Sequence, residues 1–383
     1  MSYDIIFVGG GLSAGLAALS VLHRNPSAAI ALVERGHSLG GNHTWCFHAA
    51  DVPQGALPWL APLITRRWPG YSVRFPGRTR RLDSPYACVT SEQLHEVVSH
   101  RILASPSSRL LLGAVAQDVS AHFVMLSDGS RLEGKVIVDA RGPELPHPST
   151  ATGYQKFVGL ELEVETDHDL REPVLIDACV RQHDGFRFMY LLPLARERVL
   201  FEDTFFSDTP YLDEARLESN ILAYARAQGF KTRNVLRRER GVLPMPWQGK
   251  LPEVGTGVIE AGYRGGFFHP VTGYSFPLAV RFAEALSQVA GHPTDRRPLE
   301  LLARSHSDQL RLLFVLTRLM FKCFAPEQRF RVLEHFYRLP EPVIERFYAA
   351  QLSPLDRGRL FWGGPPRGIS LTRVLGFAQA ATP

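Results

Sequence analysis

The stretch RVLFEDTFF, Arg198 to Phe206, sets two carboxylic acids, Glu202 and Asp203, side by side in an otherwise apolar run. Valine, leucine and phenylalanine at this density read as a strand, and successive side chains of a strand face opposite sides. Leu200, Glu202, Thr204 and Phe206 then share one face, and Val199, Phe201, Asp203 and Phe205 the other. Unless a bulge intervenes, only one of the acids can line a given pocket. A carboxyl walled in by apolar groups is disfavoured as an anion, so it holds its proton to higher pH and can donate it. That is general acid chemistry in a dry setting. A surface strand with both acids solvated or salt-bridged is the other reading. GFRFMYLLPL, Gly185 to Leu194, precedes it with only the turn ARER between, so the two read as antiparallel neighbours. Phe186, Phe188 and Tyr190 alternate there. Aromatic faces stabilise cations, and plain packing of a sheet is the bland alternative.

A second chemical signal opens the chain. YDIIFV, then GGGLSAGLAALSVL, then IALVER reads as strand, glycine turn, helix, strand. Gly9, Gly11 and Ala14 fit G-x-G-x-x-A. The first glycine makes the tight turn, the second lets the backbone approach a pyrophosphate, and the small third residue lets helix and strand pack closely. The helix start, with Ser13, then faces the phosphates. Glu34 ends the second strand about 20 residues further on, where an acid can hold an adenosine ribose hydroxyl. Glu34-Arg35-Gly36 with Gly40-Gly41, and a late strand, glycine loop and helix over Gly257 to Ala285, resemble the two-dinucleotide-fold flavoproteins. This makes FAD the expected nucleotide, with Gly41, Gly262, Thr272, Gly273 and Tyr274 beside it. Many such flavoproteins carry an Asp in the late motif, whereas this chain has Glu260-Ala261-Gly262.

Composition narrows the rest. The 383 residues allow two or three domains, and 45% hydrophobic with 21% charged content is that of a globular protein. Cys46, Cys88, Cys179 and Cys323 lack CxxC or CxxH spacing, and the histidines lack HExxH spacing, so no metal and no disulfide framework are expected. Asp4 and the early glycines are unlike a signal peptide. No uncharged apolar run is long enough to span a bilayer. A net charge of +5 with no nucleic-acid motif points to cofactor phosphates and lipid headgroups rather than nucleic acid.

Taken together, GGGLSAGL, GGNHTWCFH (Gly40 to His48), GFRFMYLLPL, LFEDTFF and GGFFHPVTGYSFPLAVRFAEAL resemble the bacterial lycopene β-cyclases. So does the tail PEQRFRVLEHFYRLPEPVIERFYAAQLSPLDRGRLFWGGPP. The likeness runs essentially end to end. It implies closure of both acyclic ends of lycopene into β-rings, giving β-carotene via γ-carotene. It also implies reduced FAD, with NADPH as reductant, and no net redox change. The catalytic acid it implies falls on Glu202, with Asp203 as a supporting or structural acid. Trp45, Phe186, Phe188, Tyr190, Phe267 and Phe268 are then candidates for the substrate wall. His43 and His269 lie in the flavin-proximal motifs. An FAD-dependent monooxygenase or reductase acting on an isoprenoid is the alternative.

The expected fold is α/β: a two-dinucleotide-binding, Rossmann-like FAD fold with an inserted antiparallel β-sheet substrate domain and a helical C-terminal part. Residues 1–70, 88–150 and 255–298 are assigned to the FAD domain, 71–87 and 151–254 to the β-rich domain, and 299–383 to the helical region. In the latter, Arg304, Arg311 and Arg318 recur every seven residues along one helix face, among many leucines. A basic amphipathic helix can lie in a lipid interface. The expected location is therefore cytoplasmic, peripheral on the inner membrane, although a core helix with a solvated arginine stripe fits the same pattern.

Overall fold

The computed structural model describes residues 2–143, 151–166, 168–361 and 368–369. The end of the tail motif, 362–366, and the assigned limits at 150 and 383 lie outside the described residues.

The amino-terminal pattern folds as a parallel unit. β1 (Ser2–Val8) lies at the centre of a seven-stranded sheet, with β2 (Ile30–Glu34) and β11 (Arg131–Asp139) parallel on either side. β8 (Arg109–Leu112) extends the β2 side, and β17 (Ile259–Glu260) joins the end of β11. β9 (Ala116–Val119) and β10 (Phe123–Leu126) add the antiparallel meander that SDGS predicts. Ile5 and Phe7 of β1 pack under α1 (Leu12–Arg24), α3 (Ser91–Leu103), α5 (Phe276–Gly291) and the short α2 (Leu57–Leu60). Ile6 and Val8 face the opposite, smaller core.

The second sheet also has seven strands, in the order β16 (Thr232–Pro246), β12 (Thr152–Val164), β15 (Arg198–Ser207), β14 (Phe186–Ala195), β13 (Val174–Asp177), β5 (Tyr71–Phe75) and β6 (Arg78–Leu82). Its pairs are antiparallel except β13 with β5. Three further strands, β3 (Thr44–His48), β7 (Tyr86–Thr90) and β4 (Arg66–Trp68), form a small sheet of their own. Tyr86 and Ala87 therefore pair in this small sheet and not in the large one, so the break assigned at residue 87 falls inside β7.

Strand alternation divides the core of the second sheet. Val199, Phe201 and Phe205 pack under α4 (Glu214–Ala227). Leu200 and Phe206 face the other way, toward α6 (Arg297–Cys323), α7 (Phe330–Phe336) and α8 (Glu341–Tyr348), with α9 (Pro354–Phe361) closing the described tail. Arg329 ties these helices to the sheet. Its guanidinium is buried, bonds Asp208 at 2.8 Å and the Phe206 carbonyl at 3.3 Å, and lies 4.5 Å from the Phe321 ring centroid. On α6, Leu299, Leu310, Leu313, Met320 and Phe321 are buried, while Arg304 and Arg311 are exposed and Arg318 is half-buried. Leu301 and Val315 are exposed on the same helix.

Candidate active site

β15 runs through Glu202 and Asp203 in unbroken register with β12, so the two acids do face opposite ways. Asp203 points under α4. Its two oxygens accept from Arg187 Nε at 2.8 Å and Nη2 at 2.9 Å, and Asn220 Nδ2 adds a bond at 3.2 Å. It does not line the cavity described below. Arg187 stands at position two of β14, so its partner was legible only once the β14–β15 register was known.

Glu202 faces the opposite side, and its neighbours follow from register. Tyr190 of β14 is directly opposite on one flank, and Gly159 of β12 on the other. Gly159 is also opposite Glu239 of β16. A Cβ at residue 159 would lie 2.6 Å from Glu239 Cγ, so the missing side chain is the space that Glu239 occupies as it leans toward Glu202. Burial first, and then the Glu239 carboxylate, push Glu202 up to about 8, although a hydrogen bond from Thr204 Oγ1 pulls the other way. Glu239 is pushed up to about 7, again by burial, against the opposing pull of Arg237 and Thr44. Its Oε2 accepts from Thr44 Oγ1 and from Arg237 Nη1, each at 3.0 Å. Arg237 in turn bonds Glu161 at 3.2 Å and approaches the exposed Glu92 at 3.6 Å. Sequence reasoning did not find Glu239. The available signal was one acid within RRER, where strand alternation separates Arg237 and Glu239 from Arg238 and Arg240. The latter two reach out to Glu218 and Glu214 of α4.

Glu202 opens into a cavity of about 360 Å³. Trp45, Phe186, Phe188 and Tyr190 line it, as do His43, Phe157 and Phe206. The other two candidates for the substrate wall do not. Phe267 is buried against Phe282 and His306 in the core under the first sheet. Phe268 stacks on Tyr263 and borders a separate cleft. Their apolar character alone did not distinguish a core position from a cavity wall. Beyond the predicted rings, the lining includes Tyr86, whose hydroxyl is 3.2 Å from that of Tyr190, and His48.

The same cavity reaches the glycine turns. Gly11, Ser13, Gly262, Thr272, Gly273 and Tyr274 all line it. Gly11 caps the start of α1, and a Cβ there would meet no atom within 4 Å, leaving the helix start open to a ligand. Gly262 and Gly273 have φ of +58° and +69°, the left-handed region that glycine adopts without strain. The Oε1 of Gln155 is buried at this wall with no hydrogen-bond partner among the described residues. An open helix start, close glycine backbones and a waiting acceptor fit a dinucleotide. Gly9, Ala14, Glu34 and Gly41 lie outside the lining. Gly9 (φ +96°) makes the turn against the Ala140 carbonyl, and Ala14 is buried in α1. Glu34 accepts from the amides of Gly10 at 2.6 Å and Gly36 at 2.7 Å, which fixes it beside the turn. Gly41 (φ +62°) is exposed. Tyr274 gives its hydroxyl proton to Asp51 Oδ2 at 2.6 Å. His43 is held below the usual histidine range by burial and by Arg237. His269 lies outside the cavity, fully buried and depressed to about 3 by burial, with Thr272 Oγ1 3.1 Å from its Nδ1.

The family model for lycopene cyclase proteins matches residues 4–374. The chain belongs to the lycopene cyclase family. It is 38% identical to the lycopene β-cyclase of Pseudescherichia vulneris over 95% of this chain and 94% of that one. To the lycopene β-cyclase of Pantoea ananas it is 37% identical, over 95% of each chain. Among solved structures, its fold resembles a geranylgeranyl bacteriochlorophyll reductase-like protein of Thermoplasma acidophilum, with TM-score 0.64, 10% identity and 99% of each chain covered. It also resembles a probable FAD-dependent monooxygenase of Pseudomonas aeruginosa, with TM-score 0.62 and 16% identity over 88% of this chain and 100% of that one. This cyclase family member thus has the Rossmann-like architecture of FAD-dependent monooxygenases and reductases, with the large mixed sheet inserted and helices at the C-terminal end.

Proposed function

We propose that this chain is a lycopene β-cyclase in which Glu202 supplies the proton that starts each ring. The observation that carries this reading is one buried acid, held protonated near neutral pH, on the wall of an aromatic cavity that continues to a dinucleotide-binding turn. Glu202 gives its proton to the terminal double bond of lycopene, leaving a tertiary carbocation. A nearby double bond attacks this cation, and loss of a ring proton sets the β-ring double bond. The product is an isomer of the substrate. The second end, identical to the first, repeats the sequence on γ-carotene. Phe186, Phe188 and Tyr190 present faces that favour the cation and exclude water. Asp203 is assigned to positioning β15 through Arg187.

Gly11, Ser13, Gly262, Thr272 and Gly273 would hold FAD, with Gly9 and Ala14 shaping its turn, Gly41 and Tyr274 beside it, and Glu34 placed for the adenosine ribose. Reduced FAD, with NADPH as its reductant, would supply an electron-rich ring system favourable to a neighbouring cation. Among the described residues no helix is long and apolar enough to cross a membrane. Arg304 and Arg311, exposed with Leu301 and Val315, support peripheral docking of α6 on the inner membrane, where lycopene is dissolved.

The test is incubation of the pure protein with lycopene in liposomes, FAD and NADPH, without oxygen. The expected product is β-carotene preceded by γ-carotene. A requirement for oxygen, or an oxygenated or hydrogenated product, would move the chain to the monooxygenase or reductase reading that its fold neighbours keep open.

A further inference from the structure

We infer that Glu239 is a positioning residue for the proton donor. Across Gly159, the two buried carboxyls share protons, and Glu239 sets the protonation state in which Glu202 works. This inference rests on the reading of Glu202 as donor.

Three rows of the second sheet carry it. On the cavity face the rows read Leu200–Glu161–Arg237, Glu202–Gly159–Glu239 and Thr204–Phe157–Gly241 across β15, β12 and β16. The first row is charged and ends at Arg237, whose side chain is 15% exposed. The third row carries no charge, with the Thr204 hydroxyl turned to Glu202 and Phe157 folded over Gly241, where a Cβ would lie 2.5 Å from its ring. The acid pair is the boundary between them. Of its two members only Glu202 lines the cavity, and only Glu239 bonds the charged side. The glycine at 159 is what permits the pair to meet, since any larger residue would take the room of Glu239.

The groups facing Glu239 are Glu202 on β15 with Asp203 behind it, Arg237 on its own strand and Glu161 on β12. Cys46 and Thr44 face it from β3, and beyond Arg237 lie His43 and Glu92. Arg237 is its one direct cationic partner among these. When Glu202 donates, its O–H bond breaks, a C–H bond forms on the alkene, and the carboxylate keeps the bonding pair. Below about pH 7, where Glu239 holds its own proton, it bonds that carboxylate and can pass the proton across, so that the charge moves to the oxygen beside Arg237; above that pH the Glu239 carboxylate holds the proton on Glu202. The ring proton released later returns one proton to the pair, and the pair ends as it began.

Glu239→Gln preserves shape and hydrogen bonding but holds no negative charge and no transferable proton. The wild-type rate should fall as pH rises through the range in which Glu202 ionises. Without the neighbouring carboxylate, Glu202 should ionise at lower pH, moving that limb about one unit toward acid. The kcat should drop about tenfold with KM unchanged. Glu239→Asp should recover part of both. A readout independent of turnover is the infrared signal of protonated carboxyl groups in lycopene-free protein, titrated from pH 5 to 9 (a range of roughly two units about the pair). Part of it should vanish in Glu239→Gln and part in Glu202→Gln. An unmoved pH limb with an unchanged kcat, or an unaltered carboxyl titration, overturns the inference. Glu202→Gln separates it from its parent reading: if that variant still cyclises lycopene, the donor assignment fails. If it is inactive while Glu239→Gln behaves as wild type, only the pairing fails.

Discussion

Asp203→Asn and Glu202→Gln should act on different properties of the protein, because adjacent residues of one strand have been given different surroundings. Asp203 has 0% exposure and a two-pronged bond to Arg187, whose side chain is 9% exposed. An asparagine there keeps one acceptor oxygen and turns an N–H group toward the guanidinium, leaving a buried positive charge without its counter-charge. Removing one partner of such a pair costs about 3–5 kcal/mol. The bond to Asn220 would also be weakened, at about 1 kcal/mol. Glu202 is different. It is neutral below about pH 8, so glutamine replaces a neutral group by a neutral group of the same shape. Its stability should stay within about 1 kcal/mol of wild type near pH 7, whereas turnover should fall by at least roughly 10²–10⁴. Urea unfolding of the FAD-bound proteins, with β-carotene formation measured per bound FAD, reads both. Asp203→Asn should show a lower midpoint with turnover of the folded fraction largely retained. An Asp203→Asn protein as stable as wild type but inactive would refute this division of roles. So would an active, FAD-bearing Glu202→Gln protein.

Other outcomes follow from the same geometry. Glu202 and Glu239 both have pKa values raised by folding, so the folded state binds their protons more tightly than the unfolded chain; the stability this contributes is complete below about pH 4.5 and is lost as pH rises through about 7 to 8. Thermal stability should therefore decline from about pH 4.5 to about pH 8, between the unfolded and folded values, and level off above, and the double variant Glu202→Gln/Glu239→Gln should flatten that decline. Gly11→Val meets no atom within 4 Å at its Cβ, so it should fold while binding FAD at least about tenfold more weakly by fluorescence titration. Gly9→Val, at φ +96° and against the Ala140 carbonyl, should fail to fold instead. Replacing Arg304, Arg311 and Arg318 by Gln should weaken co-sedimentation with anionic liposomes; binding indifferent to lipid charge and to these changes would return α6 to a purely structural role.

Much of this arrangement was legible in the sequence where it depended on local period. The alternation of RVLFEDTFF separates Glu202 from Asp203 because no bulge interrupts β15 there, and the same alternation puts Phe186, Phe188 and Tyr190 on one wall. The G-x-G-x-x-A turn lies between a strand and a helix as its spacing predicts. What was not legible depends on pairing between distant segments. Glu202 and Glu239 meet only because β12 brings Gly159 between them, and no local pattern reveals that register. Arg187 was hidden as the partner of Asp203 for the same reason. Phe267 and Phe268 follow a glycine loop just as a cavity wall would, yet Phe267 packs into the core against Phe282. Burial by a distant helix leaves no mark on the neighbouring sequence.

The central claim, that a carboxyl proton starts each ring, is tested most directly by turnover in deuterium oxide without oxygen, followed by mass and NMR analysis of the carotenoid. Proton-initiated cyclisation predicts β-carotene with one deuterium in each ring, on the carbon that received the proton, and no NADPH oxidised in proportion to product. Glu202→Gln should give neither ring nor label. Rings formed without deuterium, or product whose amount tracks NADPH consumed, would contradict the account.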